Sequence, residues 1–143
     1  MSLSSGHFCL KRINHYSLKK IKTMKEFMLL IRTQGDHLAD LSPEKQQEHV
    51  QKVMNYMGGL MKSGKLKSAQ PLDMEGTIIS GAKGKLKDGP YNETKEVIAG
   101  YFLVQAKDLA EAIQIAKDNP VFEDGTNARI EVRPIKVMEG ING

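Results

Sequence analysis

Apolar and polar positions change their period along this chain, and each change marks an element. Phe27 to Ile31 is continuously apolar and is closed by Arg32-Thr33-Gln34-Gly35, the pattern of a strand buried on both faces. Ser42-Pro43-Glu44 then supplies a capping hydroxyl, a proline for the first helical position and an early acid. Val50, Val53, Met54, Met57, Leu60 and Met61 follow at helical spacing, predicting a helix to about Lys62 that Gly64 ends and whose core stripe these residues form. Leu66 to Leu72 and Thr77 to Ser80 read as two short strands joined in a hairpin by Asp73-Met74-Glu75-Gly76. The Gly- and Lys-rich run from Gly81 to Tyr91 reads as loop or strand edge, because Pro90 has no N–H to give a central ladder. Val97 to Val104 is the longest strand signal. Asp108-Leu109-Ala110-Glu111 opens a second helix striped by Leu109, Ala112, Ile113 and Ala116, which Asn119-Pro120 stops. Ala128 to Val132 is the last strand, by strict alternation.

With the Leu66 to Ser80 hairpin taken as one unit, the order β, α, β, β, α, β places the chain in the α+β class, with a split-βαβ, ferredoxin-like antiparallel sheet carrying both helices on one face. Two helices cover one side of such a sheet, so the other side of a monomer should be polar. Strict alternation sets Phe27, Leu29 and Ile31 against Met28 and Leu30, and Val97, Ala99, Tyr101 and Leu103 against Ile98, Phe102 and Val104. Both faces are apolar. A homodimer joined sheet to sheet is the simplest cover, the alternative being a fold-over of the N-terminal segment or of the long loop.

The length of 143 residues suits one domain, and patterning assigns it to residues 24–143. Residues 1–23 are Ser-rich, basic and aperiodic, and read as a leader from upstream translation or expression, as a docking arm, or, with less support, as a targeting peptide. The net charge of +4 does not describe the domain: the leader holds five basic residues and no acid, leaving 16 basic against all 17 acidic residues in the remainder. A nearly neutral domain lacks the electrostatic footprint of a nucleic-acid binder. Its apolar runs are far too short for a membrane-spanning helix, which takes about 20 residues. The single Cys9 excludes an internal disulfide framework and a cysteine-built zinc site, and points to a reduced, cytoplasmic setting. His7, Cys9 and His15 are scattered in the leader and do not read as a metal site. Gly81-Ala82-Lys83-Gly84-Lys85 lacks the spacing and the following helix of a phosphate-binding loop, so no cofactor is expected.

Lys87-Asp88-Gly89-Pro90-Tyr91-Asn92-Glu93-Thr94-Lys95-Glu96, leading into Ile98-Ala99-Gly100-Tyr101-Phe102, resembles the signature of the DGPF branch of the YCII-related family, with Tyr91 where Phe is usual. Met24 to Ile31, the Leu41-Ser42-Pro43-Glu44 helix opening, the Asp108 to Pro120 helix and Ile130-Glu131-Val132-Arg133-Pro134 are similar to that branch in the same order. The resemblance runs from Met24 to about Val137. It implies a dimeric α+β barrel with a pocket between sheet and helices in each subunit. It implies no settled reaction: members of the branch are fused to or encoded beside extracytoplasmic-function sigma factors, and some YCII relatives act on small cyclic or aromatic molecules through a His-Asp pair.

The imidazole of interest is His49, at the edge of the first helix's stripe. It reads either as a solvent-flanking, non-catalytic residue or as a general base near neutral pH. Asp88 either locks its own turn through backbone N–H groups or is the acid of a pocket, with Tyr91, Glu93 and Glu96 beside it and Lys95 or Arg133 holding an anionic group. Arg32, Arg129, Glu131 and Arg133 lie at sheet positions, where they need partners, as structural ion pairs or as ligand-binding groups. Two functions stay open: a small-molecule-binding homodimer, regulatory if the sigma-factor link holds, or an enzyme of proton-transfer or elimination type using His49 with Asp88 or Glu96.

Overall fold

In the computed structural model, residues 24–90, 96–123 and 127–143 are described, and the predicted leader lies outside them. The elements are β1 (Lys25–Gln34), α1 (Pro43–Lys62), β2 (Leu66–Pro71), β3 (Thr77–Ser80), β4 (Lys87–Pro90), β5 (Glu96–Ala106), α2 (Leu109–Lys117), a 3-10 turn (Pro120–Phe122) and β6 (Arg129–Pro134). Four strands form one antiparallel sheet in the order β2-β5-β1-β6, and β3 and β4 form a separate pair. The two most apolar strands, β1 and β5, hold the centre of the larger sheet. Their pairing runs from Lys25 opposite Ala106 to Gln34 opposite Glu96.

The caps form where the residue types demand them. The Ser42 hydroxyl accepts the Lys45 N–H at 3.3 Å, and the Asp108 carboxylate accepts the Glu111 N–H at 2.9 Å. Gly64, at φ 70°, turns the chain out of α1 in the left-handed conformation that a side chain would strain. The Lys65 N–H then bonds the Leu60 carbonyl at 2.9 Å, and β2 begins directly.

One face of the sheet makes the core. Phe27 and Leu29 of β1 and Phe102, Val104 and Ala106 of β5 meet Leu60 of α1 and Ala112, Ile115 and Ala116 of α2, with Ile130 and Val132 of β6 at the edge. The alanines on α2 keep that helix close to the strands. Tyr56 joins the two helices: its hydroxyl donates to the Ile115 carbonyl at 2.6 Å, and its ring stands edge-on to Phe102 at 5.5 Å. Burial, reinforced by the Asp118 carboxylate and offset in part by the Asn119 side chain, pushes the Tyr56 phenol far above its ordinary range.

Three expectations need correction. Leu66 to Leu72 does not pair with Thr77 to Ser80: β2 joins the edge of the main sheet against β5, and β3 pairs with β4. Gly81 at φ 111° and Gly84 at φ 89° supply the left-handed turn conformations between β3 and β4. The strand count is therefore six in two sheets, with part of the predicted loop folded as β4. Second, the alternation along β5 is broken by a bulge at Ala99, since Ile31 faces Gly100 while Arg32 faces Ile98. Val97 consequently turns inward at 7% exposure, and Ile98 points outward at 40%.

Third, the α1 stripe is not all core. Leu60 is buried and Val53 and Met57 are half-buried, but Val50, Met54 and Met61 are 50%, 59% and 64% exposed. The helix leans so that its 53-57-60 edge, not the centre of the apolar arc, meets the sheet. Leu29→Ala is accordingly expected to cost about 2–5 kcal/mol in urea unfolding, because it leaves a cavity under both helices. Met54→Ala should stay within about 1 kcal/mol, and equal losses for the two would contradict this core.

Candidate functional site

Between α1 and the sheet lies a cavity of about 310 Å³. Its floor includes the small residues Ala69, Ala99 and Gly100, its wall is Val53, Met54 and Met57 of α1, and His37, Leu38, His49, Asn119 and Val121 close one end. Gly100 is needed there: a Cβ would stand 2.8 Å from the Gln70 carbonyl oxygen, so a side chain would push β2 off β5. Partly exposed Val50 and Met54 form the rim. No Asp, Glu, Lys or Arg belongs to the lining among the described residues.

The histidine pair is positioned by the short connection between β1 and α1. Gly35 turns the chain at φ 61°, and the Thr33 hydroxyl donates to its carbonyl at 2.8 Å. The Asp36 carboxylate accepts the Leu38 N–H at 3.0 Å. Gln46 of α1 then donates to the carbonyls of Leu38 and Leu41 at 2.9 and 3.1 Å, fastening this loop to the helix. His37 is thereby held edge-to-face with the buried His49, ring centres 5.7 Å apart and planes at 81°. Two imidazoles in an apolar cavity supply hydrogen-bonding and proton-exchanging groups against a surface that otherwise binds by packing.

The other predicted site residues lie elsewhere. Arg32 Nε and Nη2 donate to Glu131 Oε1 at 3.0 and 2.7 Å, and Nη1 approaches Glu96 Oε1 at 3.5 Å. Arg129 donates to both oxygens of Glu96 at 3.1 and 2.8 Å, and Arg133 stands 3.7 Å from Glu131. Arg32, Glu96 and Arg133 thus share one ion-pair network with Arg129 and Glu131, on the sheet face away from the helices. Asp88 is exposed on β4 opposite Ile79 and is not among the residues lining the cavity. Tyr91, Glu93 and Lys95 lie outside the described residues.

Of the residues singled out from sequence, the cavity holds His49 alone. It adds His37 and Asn119, which that reading missed. A histidine just after a Gly-Asp turn was a findable signal, since the turn reverses the chain toward the next helix. Asn119 gave only the signal of a helix stop before proline.

This is an α+β domain in which a long helix lying on an antiparallel sheet shelters an apolar cavity with a histidine pair at one end. It belongs to the YCII-related domain family, whose model matches residues 25–136, a span from β1 through β6. Comparison with curated proteins gives no match. No helix among the described residues is long and apolar enough to cross a membrane.

The Arg129 guanidinium, hydrogen-bonded to Glu96, holds that carboxyl below the usual carboxylate range, with Arg32 adding to the effect and desolvation opposing it. A depressed folded-state value contributes stability above the unfolded value and loses it as pH falls through the folded one. In a carboxyl-detected NMR titration Glu96 should titrate below the ordinary glutamate range, and Arg129→Ala should raise it toward that range. An unshifted Glu96 in the wild type would contradict the network.

Proposed function

We propose that this protein is a small-molecule-binding homodimer, a dimeric α+β barrel of the DGPF branch in which each protomer holds its ligand in the cavity beneath α1. The observation that carries the reading is the cavity itself: about 310 Å³, lined mainly by apolar side chains, with the His37–His49 pair among its few polar groups. With the β3–β4 pair set aside as an insertion, the order β2-β5-β1-β6 supports the ferredoxin-like reading. The sheet face away from the helices supports pairing. Met28 and Leu30 lie beside Leu103 and Tyr101, Ile98 is exposed, and the ion-pair network flanks them. Two such faces stacked back to back would remove this apolar centre from water and leave both cavities accessible. A regulatory role beside a sigma factor rests on the branch resemblance.

A second reading, an enzyme of proton-transfer or elimination type, is favoured by the edge contact of His37 and His49. In that case the proton passes through these imidazoles.

The test combines mass and occupancy. Light scattering at micromolar concentration is expected to give twice the chain mass, and the neutral fluorophore N-phenyl-1-naphthylamine should bind saturably, once per protomer. Val53→Phe should weaken the probe at least about tenfold without changing the mass, since it fills the cavity. Leu30→Asp should reduce the mass to one chain, because an unpaired carboxylate is too costly to bury in the interface. A wild-type monomer would end the dimer reading, and probe binding untouched by Val53→Phe would end the cavity reading.

A further inference from the structure

The β3–β4 pair is an arm that extends beyond the main sheet from the strands flooring the cavity. It departs at Leu72, whose N–H bonds the Ala99 carbonyl at 2.8 Å, directly after Pro71 of the cavity lining. Past that point the backbone bonds of the described residues join the arm's strands only to each other, and every residue from Glu75 to Asp88 is exposed. A two-stranded hairpin with no layer against it is marginal in water. This one nevertheless carries Ile78, Ile79 and Leu86 at 51%, 63% and 59% exposure. Ile79 stands opposite Asp88, so Ile79 and Leu86 share one face of the arm. Lys83, Lys85 and Lys87 make its far end basic. The cavity mouth presents the complement. Its rim is Val50 and Met54, exposed on the first half of α1, and Asp36, Asp40, Glu44 and Glu48 are exposed on that part of α1 and the loop before it. Arm and rim lie at the same end of the sheet, since β1 ends at Gln34 opposite Glu96, where β5 begins, and α1 starts from that end at Pro43.

We propose that the arm belongs to the ligand site: Ile79 and Leu86 fold over the mouth of their own protomer's cavity, against Val50 and Met54, and enclose the bound molecule. The inference rests on the cavity being the binding site and adds the residues that close it. Over an unfilled cavity the arm meets only the rim. A bound apolar molecule fills the gap and gives Ile79 and Leu86 a surface to bury, which is the differential interaction that shifts the arm toward closure. The ligand is then apolar on the side facing the mouth as well as on the side facing Val53 and Met57. The lysines of the arm and the acids around the mouth attract weakly across it. Asp73 to Gly76, which belong to no helix or strand, supply the bend.

The experiment titrates N-phenyl-1-naphthylamine, uncharged and apolar, into the full-length protein and into the double variant Ile79→Asp, Leu86→Asp. Both positions are exposed, so the variant should keep the wild-type mass and the wild-type amide spectrum outside the arm. It should bind the probe at least about tenfold more weakly, because the face that covers the ligand has lost its apolar surface. Unchanged affinity overturns the inference and leaves the cavity reading standing. Methyl NMR on the wild type shows where the arm goes. With the probe bound, contacts from the Ile79 and Leu86 methyls to those of Val50 and Met54 are expected. They should be missing from isotope-filtered spectra of mixed labelled and unlabelled protein, since they lie within one protomer. Saturable probe binding without these contacts, or the same contacts between protomers, overturns the inference. Should the variant fold poorly, the wild-type spectra decide the matter alone. If the probe does not bind the wild type, the cavity reading has failed and the inference falls with it.

Discussion

A sheet has two faces, and this chain has helices for one of them. β1 and β5, the central strands, are apolar on both sides, so everything else about the molecule follows from how each face is kept from water. Toward the helices, Phe27, Leu29, Phe102 and Val104 are sealed by Leu60 and by the alanine face of α2. On the other face, Leu30, Tyr101 and Leu103 sit between half-buried and exposed neighbours, edged by the arginines and glutamates of β1, β5 and β6. The charges lie toward one side of that face, leaving an apolar patch in its middle. A patch so placed suits pairing with a copy of itself, since a twofold axis would bring the apolar centres together.

The cavity comes from an uneven cover on the helical face. α1 packs toward β2, whereas α2 packs toward β1, β5 and β6, so the β2 side of the sheet is covered mainly by α1. Where large residues rise from the floor, as at Leu29 and Val104, the layers close. Where the floor is Ala69, Ala99 and Gly100, they do not, and the gap is rimmed by Val50 and Met54. The loop that carries His37 and the turn that begins at Asn119 stop one end of this gap. The polar groups of the candidate site are therefore supplied by connections, held in place by Gln46, Thr33 and the Asn119 cap, against walls supplied by regular elements.

Sequence revealed those features that depend on near neighbours. Ser42-Pro43 and Asp108 began helices because capping is local, and the long alternation around Val97 to Val104 marked the central strand because burial at its centre is strong. It misassigned β2, whose paired residues on β5 lie far along the chain, from Pro71 opposite Gly100 to Leu66 opposite Val104, and whose pairing depends on Gly100 admitting a close approach. The bulge at Ala99 was invisible to a strict period of two, and it inverted the facing of Val97 and Ile98. Met54 and Val50 read as core because amphipathic spacing marks an apolar arc and not how much of that arc the sheet will cover. Arg32, Arg129, Glu131 and Arg133 were legible as sheet positions needing partners, and they meet in one ion-pair network that also takes in Glu96, which sequence had placed beside Asp88. The site was less legible, since His37, His49 and Asn119 come together only through tertiary packing.

Two apolar surfaces compete to explain assembly: the open sheet face, centred on Leu30 and Leu103, and the exposed α1 edge of Val50, Met54 and Met61. Isotope-filtered NMR on a sample mixed from methyl-labelled and unlabelled protein distinguishes them. The account predicts intermolecular contacts from the Leu30 and Leu103 methyls to the Tyr101 ring, and none from Val50 or Met54. Intermolecular contacts confined to Val50, Met54 and Met61, with the sheet face silent, would contradict it.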